Sequence, residues 1–210
     1  MLRRFGLSFV FTSIATLPVT AQDVRITQDM LTRSITLNGT EIVIDRIQDS
    51  EHQLSGEFAR TSRACPPFCI TPMSAAPGVS TIGELEVMDF LETQVAAGSA
   101  LLLDSRLPEF FEKGGIPGSL NLPFATLDAT NPYRDEILVA LGATASGAGW
   151  DFASAKTLAL FGNGAWCDQS TRAIRHLMDA GYPAEKLLYY RGGVQAWLQL
   201  GLTHHIPTGG

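Results

Sequence analysis

The chain has little that would tie it to a membrane, a nucleic acid or a haem. Past its first 21 residues no apolar run has the length of a membrane span, which needs about 20 predominantly apolar residues. Cations do not prevail. Fifteen Lys and Arg stand against 21 Asp and Glu, a formal net charge of -6, which argues against nucleic acid or an anionic membrane as partner. There is no Cys-x-x-Cys, which sets aside a thioredoxin-like motif, and no Cys-x-x-Cys-His for haem attachment. The three cysteines are an odd number, so one thiol is free, reactive or paired with another molecule. Cys65 and Cys69 have no nearby His, and three thiols leave zinc short of a fourth ligand, so no metal and no other cofactor is expected.

What is present starts with a secretory pattern. Arg3 and Arg4 form a basic start, Leu7 to Leu17 is a short apolar stretch, and Val19-Thr20-Ala21 fits small-x-small cleavage. Residues 1–21 are therefore read as a signal peptide. The mature chain then starts near Gln22, works in the periplasm or outside the cell, and has no membrane partner after cleavage. Its 45% hydrophobic content suits a globular domain with an extension.

The extension, residues 22–78, carries Ser34 to Leu37 and Glu41 to Ile44 on either side of Asn38-Gly39, a β-hairpin signature. Cys65-Pro-Pro-Phe-Cys69 is too proline-rich for helix or central strand. Its spacing allows a local disulfide, and pairing of either cysteine with Cys167 stays open.

Residues 79–205 alternate strand and helix patterns. Thr81-Ile-Gly-Glu84 reads as a capping box, followed by Leu85, Met88, Leu91 and Val95 on one helical face and Gly98 as the stop. Leu101 to Leu103, Lys156 to Phe161 and Lys186 to Tyr190 are short apolar runs suited to buried parallel strands. Gln169 to Ala180 is helical, with Ala173, Ile174, Leu177 and Met178 inward and Gly181 as its stop. The fold class expected is α/β, a mostly parallel central sheet flanked by helices. In such sheets ligands bind beyond the strand carboxyl ends, where Gly162-Asn-Gly-Ala-Trp-Cys167 lies. A thiol between a strand end and a helix start meets backbone N–H groups that favour thiolate. A buried structural cysteine is the alternative reading.

Three blocks then carry a resemblance. Leu101-Leu-Leu-Asp104-Ser-Arg106-Leu-Pro-Glu109-Phe110, Gly115-Ile-Pro-Gly118-Ser-Leu-Asn121-Leu-Pro123 and Tyr190-Arg191-Gly-Gly193-Val-Gln-Ala-Trp197 with Gly201 occur in that order. Together they make residues 81–203 resemble the rhodanese family of sulfurtransferase domains, with Gly115 where that family usually has His. The resemblance implies that a thiolate takes sulfur from a small anionic donor such as thiosulfate, or exchanges it with a thiol-bearing partner protein. It implies that Cys167 is the catalytic candidate, with Gly164, Asp168, Gln169, Ser170 and Arg172 around the donor and Asp104, Arg106 and Arg191 in supporting roles. The family places its nucleophile directly after the strand. One register puts Gly162 there and Cys167 five residues later; a second puts Cys167 itself there, and segment lengths favour the first. Two alternatives to sulfur transfer remain at this point, an inactive binding module and a thiol–disulfide exchange protein. A related cysteine-loop phosphatase is set aside, because it needs Cys and Arg six positions apart and Cys167 and Arg172 are five apart.

Overall fold

The computed structural model describes residues 23–147 and 149–206. The expected signal peptide lies outside the described residues. Strand β1 (Arg33–Leu37) turns at Asn38 and Gly39, with φ of 50° and 80°, into antiparallel β2 (Thr40–Ile44). Asn and Gly both tolerate the positive φ that a tight hairpin turn requires.

After a long polar stretch the chain enters β3 (Ser80–Ile82), α1 (Glu84–Phe90), β4 (Ala100–Asp104), α2 (Pro108–Phe111) and β5 (Leu120–Asn121). It continues through α3 (Arg134–Ala140), the small hairpin β6 (Thr144–Ser146) and β7 (Gly149–Asp151), then β8 (Thr157–Phe161), α4 (Gln169–Asp179), β9 (Leu187–Tyr190) and α5 (Gly193–Gln199). The sheet order is β3-β9-β8-β4-β5, and every pairing in it is parallel. This is the parallel sheet flanked by helices that the alternating pattern predicts.

The central strand explains why its sequence is apolar throughout. Leu158 and Leu160 of β8 face one core with Ile174, Leu177 and Tyr189, while Ala159 and Phe161 face the other with Leu102, Tyr190 and Trp197. A strand covered on both faces cannot alternate polar and apolar residues. The extension belongs to the second core, since Ile35 and Ile44 are buried in the same cluster as Trp197 and Leu202. Backbone bonds reinforce that seam, Ile47 N–H to Gly201 O at 2.8 Å and Thr203 N–H to Asp45 O at 3.0 Å.

The expected capping box is not formed. Thr81 lies in β3 and gives its hydroxyl to Met73 O at 2.5 Å, and the helix starts at Glu84. Gly83 is the N-cap, and Glu86 accepts its N–H at 3.0 Å. Glu84 instead accepts from the Tyr190 hydroxyl at 2.9 Å. With the start so placed, Val87 and Phe90 turn inward with Met88 and Leu91, and Leu85 is left 42% exposed. Helix α4 keeps the expected inward face, and Gly181 follows it with a φ of 94°. A three-residue strand such as β3 carries too few alternations to be read from its sequence.

Truncating Ile44 tests whether hairpin and sheet share one core. Ile44→Ala is expected to lower the unfolding free energy in urea by about 2–5 kcal/mol, in one transition for the whole molecule. An unchanged midpoint would mean that the hairpin is a loose appendage.

Candidate active site

Beyond the carboxyl end of β8 the chain makes a six-residue loop, Gly162 to Cys167, before α4. Its carbonyls are tied outward. Gly162 O accepts from Val194 N–H at 3.1 Å and Asn163 O from Gln195 N–H at 2.9 Å, both at the start of α5. Gly193 has a φ of 56°, and a Cβ there would run into Gly162 O, so only glycine lets the two segments meet. Ala165 O accepts from the extension, from Thr71 N–H and the Thr71 hydroxyl, each at 2.8 Å.

With its carbonyls facing out, the loop turns N–H groups inward to one atom, the sulfur of Cys167. The backbone N–H groups of Asn163 and Gln169 point at it, and the Asn163 side-chain amide lies 3.9 Å away as a further donor. The thiol itself donates to Gln169 Oε1 at 3.4 Å. Cys167 is only 7% exposed. Burial pushes its thiol up from the ordinary value, the surrounding donors pull it down, and the Asp168 carboxylate adds to the rise. The resting group is therefore a protonated thiol inside a cradle built for an anion.

Gly162 directly follows β8, as the first register has it. A Cβ built on Gly162 would lie 2.9 Å from Cys167 Sγ and 3.5 Å from Cys167 Cβ. The loop thus carries the sulfur of residue 167 back to the space beside residue 162.

The other expected residues divide sharply. Asp104 and Arg106 form a buried clamp. Arg106 donates Nε to Asp104 Oδ1 at 2.9 Å, Nη2 to Asp104 Oδ2 at 2.6 Å, and Nη2 to Gly114 O at 2.8 Å. Burial pushes the Asp104 carboxyl up and the guanidinium opposes it. Arg106 Nη1 also reaches Asn163 Oδ1 at 3.4 Å, which orients the Asn163 amide toward the sulfur. Gly164 closes the loop through its carbonyl, which accepts Cys167 N–H at 2.9 Å, and Ser170 is buried at the start of α4. Asp168 is the N-cap residue by position, but its side chain caps nothing and its backbone carbonyl takes the Thr171 hydroxyl at 2.9 Å.

Arg172, expected to bind the donor, and Arg191, expected in a supporting role, both have partners of their own. Arg172 lays its guanidinium over the Phe124 ring, 4.1 Å from the centroid. Arg191 donates to Thr71 O at 2.9 and 3.2 Å and so fastens the extension. Cys65 and Cys69 are joined to each other, and Cys167 is free. That pairing departs from the thiol–disulfide alternative, in which Cys167 is resolved by one of them. Among the described residues no cluster of His, Cys, Asp or Glu has the makings of a metal site.

The segment around that disulfide lies over the loop. Phe68 meets Trp166 edge-on at 5.3 Å, and the Arg63 guanidinium sits over both rings at 4.8 and 4.6 Å. Gln195 links the two layers, accepting Trp166 Nε1–H at 2.6 Å and donating to Phe58 O at 2.7 Å. Sequence reasoning did not find Asn163, Thr71 or Gln195. The one available signal was the stiff Cys-Pro-Pro-Phe-Cys run, which suits a fixed cover more than a linker.

A model of the rhodanese-like domain matches residues 87–200. Among solved structures, a Rhodopseudomonas palustris protein of unknown function, described as a possible tyrosine phosphatase, is similar at 21% identity and a TM-score of 0.44, covering 62% of this chain and 88% of that one. A human single-domain sulfurtransferase is similar at 24% identity and a TM-score of 0.39, covering 57% and 96%. A rhodanese-related protein of Thermoplasma volcanium is similar at 16% identity and a TM-score of 0.39, covering 61% and 99%. No curated protein matches the chain.

The placement of the sulfur has a direct check. The 3.5 Å between the built Cβ and Cys167 Cβ falls within the usual disulfide range of about 3.5–4.5 Å, so Gly162→Cys is expected to form a 162–167 disulfide on mild oxidation. Alkylation and peptide mass mapping would find both thiols blocked. Two freely alkylated thiols at these positions would show that the sulfur lies elsewhere.

Proposed function

The chain belongs to the rhodanese-like domain family, and we propose that it moves sulfane sulfur through a persulfide on Cys167. The observation that carries this reading is the sulfur's position, 2.9 Å from where a side chain on Gly162 would begin. The family's nucleophile stands directly after the strand. Here a thiol from the far end of the loop reaches the same space, and glycine at 162 keeps that space clear.

In the proposed reaction the Cys167 thiolate attacks the outer sulfur of a thiosulfate-like donor. The donor's S–S bond breaks, sulfite leaves with the bonding pair, and the enzyme holds a Cys167 persulfide. An acceptor thiolate or cyanide then attacks the outer sulfur and regenerates the thiolate. The N–H groups of Asn163 and Gln169 stabilise the sulfur anion at both stages. Asn163 is a positioning and stabilising residue, held by Arg106, which the Asp104 pair keeps fixed. The donor is a small anion or a persulfide presented by a partner protein. Either reaches the buried thiol when the segment around Phe68 lifts from Trp166. The Cys65–Cys69 disulfide supports an exported, oxidising setting.

A second reading, a non-catalytic binding module, is favoured by the burial of Cys167 and its raised pKa. Activity separates the two. Thiocyanate formation from thiosulfate and cyanide is expected to be slow at neutral pH. It should rise about tenfold per pH unit, without levelling where ordinary thiols do, because the folded state favours the protonated thiol. Cys167→Ser should fall to background. A wild-type rate no higher than that of Cys167→Ser, across the whole pH range, would end the sulfur-transfer reading in favour of the binding module.

A further inference from the structure

The cover and the loop do not meet flush. Between them lies a cavity of about 360 Å³, walled by Phe58 and Phe68 of the extension, Phe110 of α2, and Trp166 of the loop. Its volume is in the range of small-molecule sites, about 300–1,000 Å³. Four aromatic rings converging on one space give it flat apolar walls.

The charges around it have one sign in excess, against the negative balance of the whole chain. Glu57 is engaged by Arg63, 3.3 Å away, and Arg106 is taken up by Asp104. Lys113 stands at the rim with its ammonium 5.7 Å from the Phe110 ring centroid and with no acidic partner among the described residues. Arg63 also lines the cavity, but its guanidinium is taken up by Glu57 and by the Phe68 and Trp166 rings, which leaves Lys113 as the cation without an acidic partner there.

We infer that this cavity is a binding site for a small organic anion, a flat apolar body bearing a carboxylate or sulfonate. The body stacks among Phe58, Phe68, Phe110 and Trp166, and the anionic group lies toward Lys113. The site is distinct from the sulfur cradle. Asn163 separates them, lining the cavity with one side and holding its amide to Cys167 Sγ with the other. The inference does not depend on sulfur transfer, because it uses no property of the thiol.

The test uses the purified protein and 1-anilinonaphthalene-8-sulfonate, with the uncharged N-phenyl-1-naphthylamine as comparison. Saturable one-to-one binding of the sulfonate is expected, with energy transfer from tryptophan and about tenfold preference over the uncharged amine. Lys113→Glu, a change at an exposed residue, should weaken the sulfonate at least tenfold and leave the amine unchanged. Phe110→Ala should weaken both. Absence of saturable binding would overturn the inference, as would sulfonate binding that both variants leave unchanged.

Discussion

Everything at the candidate active site follows from where the carbonyls of the loop point. Gly162 and Asn163 give theirs to the start of α5, and Ala165 gives its own to Thr71 of the extension. A peptide unit whose oxygen is held outward presents its N–H on the other side. Two separate parts of the chain, the start of α5 and the extension, thereby fix the direction of the loop's peptide units, and the Asn163 N–H so held favours the Cys167 thiolate. Glycine at 193 permits the approach of α5, and glycine at 162 leaves room for the sulfur.

The thiol is held between two opposed effects. Donors from Asn163 and Gln169 favour thiolate, while burial and the Asp168 charge favour thiol, and burial is the larger. Such a site rests in an unreactive form. The extension packs on both sides of this region: its Ile35 and Ile44 join the core with Trp197 of α5, and its Phe68 meets Trp166 of the loop.

The elements legible in the sequence were those with enough periodicity to be distinctive. The apolar runs of β4, β8 and β9, the inward face of α4 and the Asn38-Gly39 turn all carry their own signal. Helix α1 was misplaced at its start because Thr81 and Glu84 have the spacing of a capping box, yet the sheet claims Thr81. At the site, Cys167 and the Asp104–Arg106 clamp stood out by residue type. Arg172 and Arg191 did too, but the pull of Phe124 on one and of Thr71 O on the other is a tertiary effect. Asn163 was silent because its role comes from being aimed by Arg106, just past the end of β4 and 57 residues earlier in the chain. No local pattern encodes that direction.

The central claim is that Cys167 carries the sulfur. The most direct measurement is to expose the protein to thiosulfate, alkylate without prior reduction, and weigh the cysteine peptides. The account predicts one extra sulfur on the Cys167 peptide, with Cys65 and Cys69 still joined to each other. A Cys167 peptide recovered only as the plain alkylated thiol would contradict it.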